Sequence, residues 1–404
     1  MLIPAENVYA KVVSAPVGLW PAPIQDGGAV LVAKLTTDTI KAIYQGAPTF
    51  LIASVVALDS NFVRCVGLKI CDDPVHPITP FGPHTEHDDI RWLEWVLNQP
   101  ATHIYFYDEV ARPVLDGVCR FENADEAREA AVALQKSGVA YSGSDFDLLN
   151  RAMDVFEGRI DGNSPNTAGS IHTFQLRLLF SNLNPMTVAW PGAGEFVLNS
   201  PDEGDGLEQS VRHLLEVVFP MPGTLFRKPQ VPKNSGTREL TDVLGLEPDV
   251  LFLLETKALS VFNKHPEQPT ERRIKNVMAQ VKKGFTQLEG AIRKLRSGVA
   301  VTTPEKSVIP IDMPAKECIH AVVLISSMSL DLDWKWITRQ IFALSKQHNV
   351  FFHVLDLTEL QQLAVRAMTA HRFHLFLCKR MEMIIDTRNA NTRVTFLDES
   401  ENKP

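Results

Sequence analysis

The stretch that decides the fold runs from Thr237 to Val261, TRELTDVLGLEPDVLFLLETKALSV. Two apolar runs flank GLEPD, whose Gly, Pro and Asp mark a turn, so the segment predicts an antiparallel hairpin centred near residue 248. Facing residues in such a hairpin have a constant index sum, which places Asp242 beside Glu255. Strand alternation then puts Lys257 on the same face as Glu255, two residues on. Two carboxylates and one ammonium thus meet on strands otherwise built for burial. A buried carboxylate is costly unless paired or bound to metal. Crowded carboxylates suit a hard divalent cation, and Mg2+ (with Mn2+ as a substitute) is the usual choice where substrate phosphates share the shell.

Outward from the hairpin, the residues keep one architectural order. Before it lies a helix in SPDEGDGLEQSVRHLLEVVF, with Leu207, Val211, Leu214, Leu215 and Val218 at helical spacing. TLFRKPQV predicts a strand. After the hairpin comes a basic amphipathic helix, RRIKNVMAQVKKGFTQLEGAIRKLRSG, then the strand CIHAVVLISS, the helix DWKWITRQIFALSKQ, the strand VFFHVLDL and a final helix from Thr358. This order predicts an α/β sandwich around a mixed sheet.

Asp242 followed by Glu255-Thr256-Lys257 at the end of an apolar strand resembles the PD-(D/E)XK nuclease superfamily, the restriction-endonuclease-like fold. The resemblance runs from about Leu207 to the end of the chain. It implies that Asp242 and Glu255 bind metal, that Lys257 positions or activates water, and that an acid on the first core helix, Glu208 or else Glu216, completes the site. It also implies a glutamine and basic residues on the following helix, for which Gln280 and Lys283 are the candidates. The basic residues Lys275, Lys282, Lys283, Arg293 and Lys294 would contact the nucleic-acid backbone, DNA more than RNA. Members often carry Pro before the catalytic Asp, where this chain has Thr241. The motif [D/E]-x-K also begins at Asp333 and Glu401, but Asp333 reads as a helix start and Glu401 lies in the polar tail. The arrangement is similar to restriction and anti-phage defence nucleases of bacteria, and homodimers suit a fold that must cut two strands. The rival expectation is a non-catalytic nucleic-acid-binding or scaffold protein on the same fold.

The whole chain fits this picture. Its 404 residues carry a net charge of -8, which argues against coating nucleic acid over the entire surface. Yet Lys264 to Arg296 holds nine Lys/Arg against three Glu, a local basic face on an acidic protein. The longest apolar run, from Ala47, falls short of the roughly 20 residues that span a bilayer, so no membrane partner is expected. No secretion signal is evident, and five scattered cysteines without CxxC suggest reduced thiols in a cytoplasmic protein, with no disulfide framework or zinc site.

Residues 1–165 predict a strand-rich α+β domain for substrate selection, sensing or assembly. Its strands are AVLVAKL, TFLIASVVAL, FVRCVGLKI and HIYFY, and its helices DDIRWLEWVLN, NADEAREAAVALQKSG and DFDLLNRAMDVFEG. Trp92 and Trp95 read as core. DGNSPNTAGS, Asp161 to Ser170, reads as the linker to a nuclease-like domain over 170–404. His76 to Asp89 is rich in His and acids but lacks a ligand spacing and reads as a surface loop. YSGSDF is not a GxSxG elbow, no GxxxxGK[ST] loop is present, and PGAGEF reads as a turn.

Overall fold

The computed structural model describes residues 6–25, 27–58, 61–72, 77–84, 87–136, 145–160, 171–183, 186–187, 195–196, 203–233, 236–257, 270–313, 316–325 and 332–394. The chain is of mixed α/β class and divides into two compact units. The first is built on Met1–Val188, the second on Ser200–Ser260 and Thr270–Pro404, with short pieces exchanged around their borders.

The first unit runs α1 (Glu6–Ser14), β1 (Gly18–Pro23), β2 (Ala29–Lys34), α2 (Thr37–Tyr44), β3 (Thr49–Leu58), β4 (Asn61–Ile70), β5 (Phe81–His84), α3 (His87–Leu97), β6 (Ala101–Tyr107), β7 (Pro113–Phe121), α4 (Ala124–Lys136), α5 (Phe146–Ile160) and β8 (Ile171–Leu183). Its eight strands form one sheet in the order β1-β2-β6-β7-β8-β3-β4-β5, antiparallel throughout except for β2 against β6. β9 (Met186–Thr187) and β10 (Glu195–Phe196) pair with each other as a two-residue ladder.

Three expectations change here. β8 pairs with both β3 and β7, so residues 171–183 belong to the first unit, and the division falls near residue 200 instead of 165–170. Composition marks a change of local structure, whereas strand pairing is non-local and decides the unit. The loop expected from His76 to Asp89 contains the edge strand β5, with His84 buried and facing Asp89 at 3.6 Å. PGAGEF contributes Glu195 and Phe196 to β10, where a turn was expected. The expected linker Asp161–Ser170, together with Ser142, Ser144 and Glu401, lies outside the described residues. Trp92 and Trp95 pack, half-buried, against the first core.

The second unit runs α6 (Glu203–Glu216), β11 (Leu225–Arg227), β12 (Gln230–Lys233), β13 (Gly236–Glu239), β14 (Val243–Leu246), β15 (Val250–Lys257), α7 (Thr270–Arg296), β16 (Val301–Thr302), β17 (Val308–Ile309), β18 (Cys318–Ile325), α8 (Trp334–His348), β19 (Phe351–Asp356), α9 (Leu357–Ala367) and α10 (Ala370–Thr387). The main sheet has the order β11-β14-β15-β18-β19, with β11, β14 and β15 antiparallel and β15, β18 and β19 parallel. Helices α7 and α8 cover one face, and α6, α9 and α10 the other. Every residue of β15 is buried, as expected of a parallel strand covered on both faces.

TLFRKPQV does not make one strand. Lys228 adopts a positive φ of 50° and breaks it into β11 and β12. β12 then joins β13, β16 and β17 in a separate small sheet. The expected final helix is likewise two. Met368 closes α9 in the left-handed conformation, and the Thr369 side chain caps α10 by accepting from the Arg372 amide. Arg380 of α10 is fully buried. It donates to Glu359 and to the carbonyls of Val354 and Ala390, tying helix, strand and C-terminal loop together. Among the described residues, no helix is long and apolar enough to cross a membrane.

Candidate carboxylate active site

The hairpin register fixes the site. Val243 pairs with Leu254 and Leu246 with Leu251, so Asp242, one residue before β14, stands opposite Glu255. Both face α7, on the same side of the sheet as Leu251 and Leu253. Asp242 Oδ2 accepts from the Thr256 amide at 2.5 Å and from the Thr256 hydroxyl at 2.8 Å. Lys257 Nζ donates to Glu255 Oε2 at 2.9 Å and to the Thr256 carbonyl at 3.0 Å, and lies 3.9 Å from Asp242 Oδ2. Thr241 locks the hairpin by donating its hydroxyl to the Leu254 carbonyl at 2.7 Å.

Asp242 and Glu255 open into a cleft of about 530 Å³, lined by Glu208, Arg238, Glu239, Gln287 and Arg293 among others; Lys257 is buried and does not itself line it. Glu208 reaches it from α6. Its carboxylate is 3.1 Å from Lys228 and 3.4 Å from Arg227, and Asp205 pairs with the same two cations. Glu216, the other acid considered on α6, pairs instead with Arg212 and His213 and does not line the cleft.

The electrostatics are those of carboxylates held too close. Burial, reinforced by the charge of Asp242 and opposed by Lys257, pushes Glu255 up to about 7. Glu239, on the exposed rim, is also pushed up to about 7, by desolvation in the cleft and by its hydrogen bond and repulsion with Asp242. Burial raises Glu208 above the usual range too, with Asp242 adding to the shift and Lys228 and Arg227 opposing it. At neutral pH such a cluster either holds protons or takes up a cation. Its donors are carboxylate oxygens, a set that fits Mg2+ or Mn2+ and not a thiophilic metal.

The basic helix needs correction in detail. Gln287, two turns beyond Gln280, lines the cleft, and Gln280 does not. Of the expected backbone contacts, Arg293 lines the cleft. Lys294 sits beside it, lowered by slight desolvation and by repulsion from Arg238 and Lys233. Lys282 lies over the Trp336 ring, 5.0 Å from its centroid, and so faces α8. Lys275 and Lys283 are exposed on α7 and do not line the cleft. Sequence reasoning missed Glu239 and Arg238, both from β13, a strand that joins the cleft only through pairing in the small sheet. No protein-family model, curated protein or solved structure matches this chain.

Proposed function

We propose that this chain is a metal-dependent nuclease of the restriction-endonuclease-like type, hydrolysing phosphodiester bonds in nucleic acid, DNA in preference to RNA. The observation that carries the reading is the convergence of Asp242, Glu255 and Lys257 at one end of a buried hairpin, with Asp242 and Glu255 opening into a cleft rimmed by Arg238 and Arg293 and Lys257 bonded to Glu255 behind them. The order helix, three antiparallel strands, helix, parallel strand in the second unit supports it as well.

Asp242 and Glu255 would hold the cation, with Glu208 and Glu239 as further acids within the cleft. When bound, Mg2+ would offset the negative charge that develops on the phosphate during displacement. Thr256 orients Asp242 through two hydrogen bonds to one oxygen, leaving little rotational freedom in that carboxylate. Lys257 keeps its ammonium beside both acids, where it can orient water against the scissile phosphorus and help neutralise the departing charge. Arg238 and Arg293 would grip flanking phosphates. The first unit would select the substrate, sense a signal or mediate assembly.

The test is incubation of the full chain with plasmid, linear DNA and RNA, with Mg2+ or Mn2+ and with EDTA. Metal-dependent cleavage should fall at least about 100-fold in Asp242→Asn, Glu255→Gln and Lys257→Ala. Nucleic-acid binding without cleavage under every condition would leave a binding or scaffold protein and end the enzymatic reading.

A further inference from the structure

On the opposite face of the same sheet lies a second cluster, of different chemistry. Cys318 and His320 are two apart on β18 and therefore point to one face. His374 and Cys378 are four apart on α10 and therefore share one side of the helix. Cys318 Sγ lies 3.6 Å from His320 Nε2, His320 Nε2 lies 2.8 Å from His374 Nδ1, and His374 Nδ1 lies 3.7 Å from Cys378 Sγ. The two thiols also interact with each other. His320 is fully buried and stacked on Phe252, whereas Cys318, His374 and Cys378 are half-buried, so the cluster is built from the core outward and reachable from solvent.

We propose that Cys318, His320, His374 and Cys378 form a structural zinc site that fastens α10 to the main sheet. Two sulfurs and two imidazole nitrogens are the donor set of closed tetrahedral Zn2+ centres. With bonds of about 2.05 Å to nitrogen and about 2.3 Å to sulfur, tetrahedral geometry spaces N and S donors about 3.6 Å apart and two nitrogens about 3.3 Å apart. Cys318, His320 and His374 already present donor atoms within 4.8 Å of one another, the Cys318–His320 and His374–Cys378 separations of 3.6 Å and 3.7 Å match, and Cys378, beside His374, has to move in to complete the set. The 2.8 Å between the imidazoles needs to open by about half an ångström, within reach of His374 on a half-exposed helix face. A supporting residue is in place too. His353 of β19 is fully buried and sets Nε2 3.1 Å from His320 Nδ1, where it can accept the Nδ1 proton and leave His320 Nε2 bare for the metal. The site is separate in ligand type and position from the carboxylate cleft.

The full chain is stripped with a chelator and titrated with Zn2+ and with Co2+ as a spectroscopic probe. Expected are one tightly held Zn2+ per chain and, with Co2+, tetrahedral d–d bands plus a thiolate charge-transfer band. Asp242→Asn and Glu255→Gln should leave these signals unchanged. His374→Ala and Cys378→Ser, on the half-exposed side, should lose or shift them while far-ultraviolet circular dichroism shows the fold retained. His353→Leu should weaken Zn2+ affinity about 10–100-fold without changing the band pattern. In unmutated protein, Zn2+ should shield Cys318 and Cys378 from alkylation, a readout that needs no variant to fold. Absence of a thiolate–cobalt band in the folded chain, or the same band in a Cys318→Ser/Cys378→Ser variant, overturns the proposal. Because no readout involves cleavage, its outcome is independent of the nuclease reading.

Discussion

Asp242 and Thr256 lie on opposite strands of the hairpin, and a single oxygen of the Asp242 carboxylate accepts both the amide and the hydroxyl of Thr256. The acid is therefore oriented by the strand that carries its partners Glu255 and Lys257. Thr256→Val keeps the shape and the amide bond but deletes the hydroxyl donor. It should cost about 1.5–3 kcal/mol of stability, read as a lower denaturation midpoint, and reduce cleavage without abolishing it. An unchanged midpoint would mean that the hydroxyl bond contributes nothing.

Stability should depend on pH in the unusual direction for carboxylates. Glu255 and Glu239 both move from 4.5 up to about 7 in the folded chain. The folded state therefore binds more protons than the unfolded one between these values, and metal-free stability is lost as pH rises from about 4.5 to about 7. Glu255 alone contributes roughly 3 kcal/mol to that loss. Mg2+ competes with the same protons, so its stabilising effect should grow over the same interval. Melting curves from pH 5 to 8 with EDTA and with Mg2+ check both trends, and a melting temperature in EDTA that climbs toward pH 7 contradicts them.

Nucleic-acid affinity should separate the two sides of α7. Arg238→Gln and Arg293→Gln, at the cleft, should each reduce the slope of log affinity against log salt by about 1. Lys282→Gln, over Trp336 on the far side, should leave the slope unchanged. Fluorescence anisotropy at several salt concentrations distinguishes these outcomes.

Helix α7 approaches the sheet at Gly284, where an added Cβ would meet the Val323 methyl groups at 2.8 Å and 2.9 Å. Gly284→Ala gains helix propensity worth up to about 1 kcal/mol but overpacks at a typical cost of about 1–3 kcal/mol. The net effect should be destabilising, and Gly284→Val more so, as measured by chemical denaturation. A stabilised Ala variant would show that the helix yields without cost.

The hairpin was legible because turn residues and alternation fix its register locally, and Asp242 falls opposite Glu255 as the index sum requires. What was not legible depended on distance along an element or on non-local pairing. Helical phase assigns a face but not a height. Gln280 and Gln287 share a phase, yet lie roughly 10 Å apart along α7, and only the second lines the cleft. Glu239 and Arg238 looked like the start of an apolar strand, but they belong to β13, whose partner β12 turns it toward the site. β8 looked as though it began a new domain until its pairing with β3 and β7 placed it inside the first sheet. The Cys and His residues seemed scattered because the strand with Cys318 and His320 and the helix with His374 and Cys378 were each legible alone, while the packing that brings the two pairs together is non-local.

The parallel pairing of β15 with β18, and of β18 with β19, has a consequence for the order of synthesis. The strand carrying Glu255 and Lys257 leaves the ribosome directly after its antiparallel partner β14 but some 60 residues before its parallel partner β18, and Arg380 waits for the carbonyl of Ala390. A nascent chain therefore carries its acidic hairpin with one edge unpaired until β18 emerges, although α7, the wall that faces Asp242 and Glu255, is made before β18. Translation itself separates the two events, so a product truncated before β18 would keep the acidic hairpin and α7 while leaving the Glu255 strand open along one edge, a surface prone to wrong pairing.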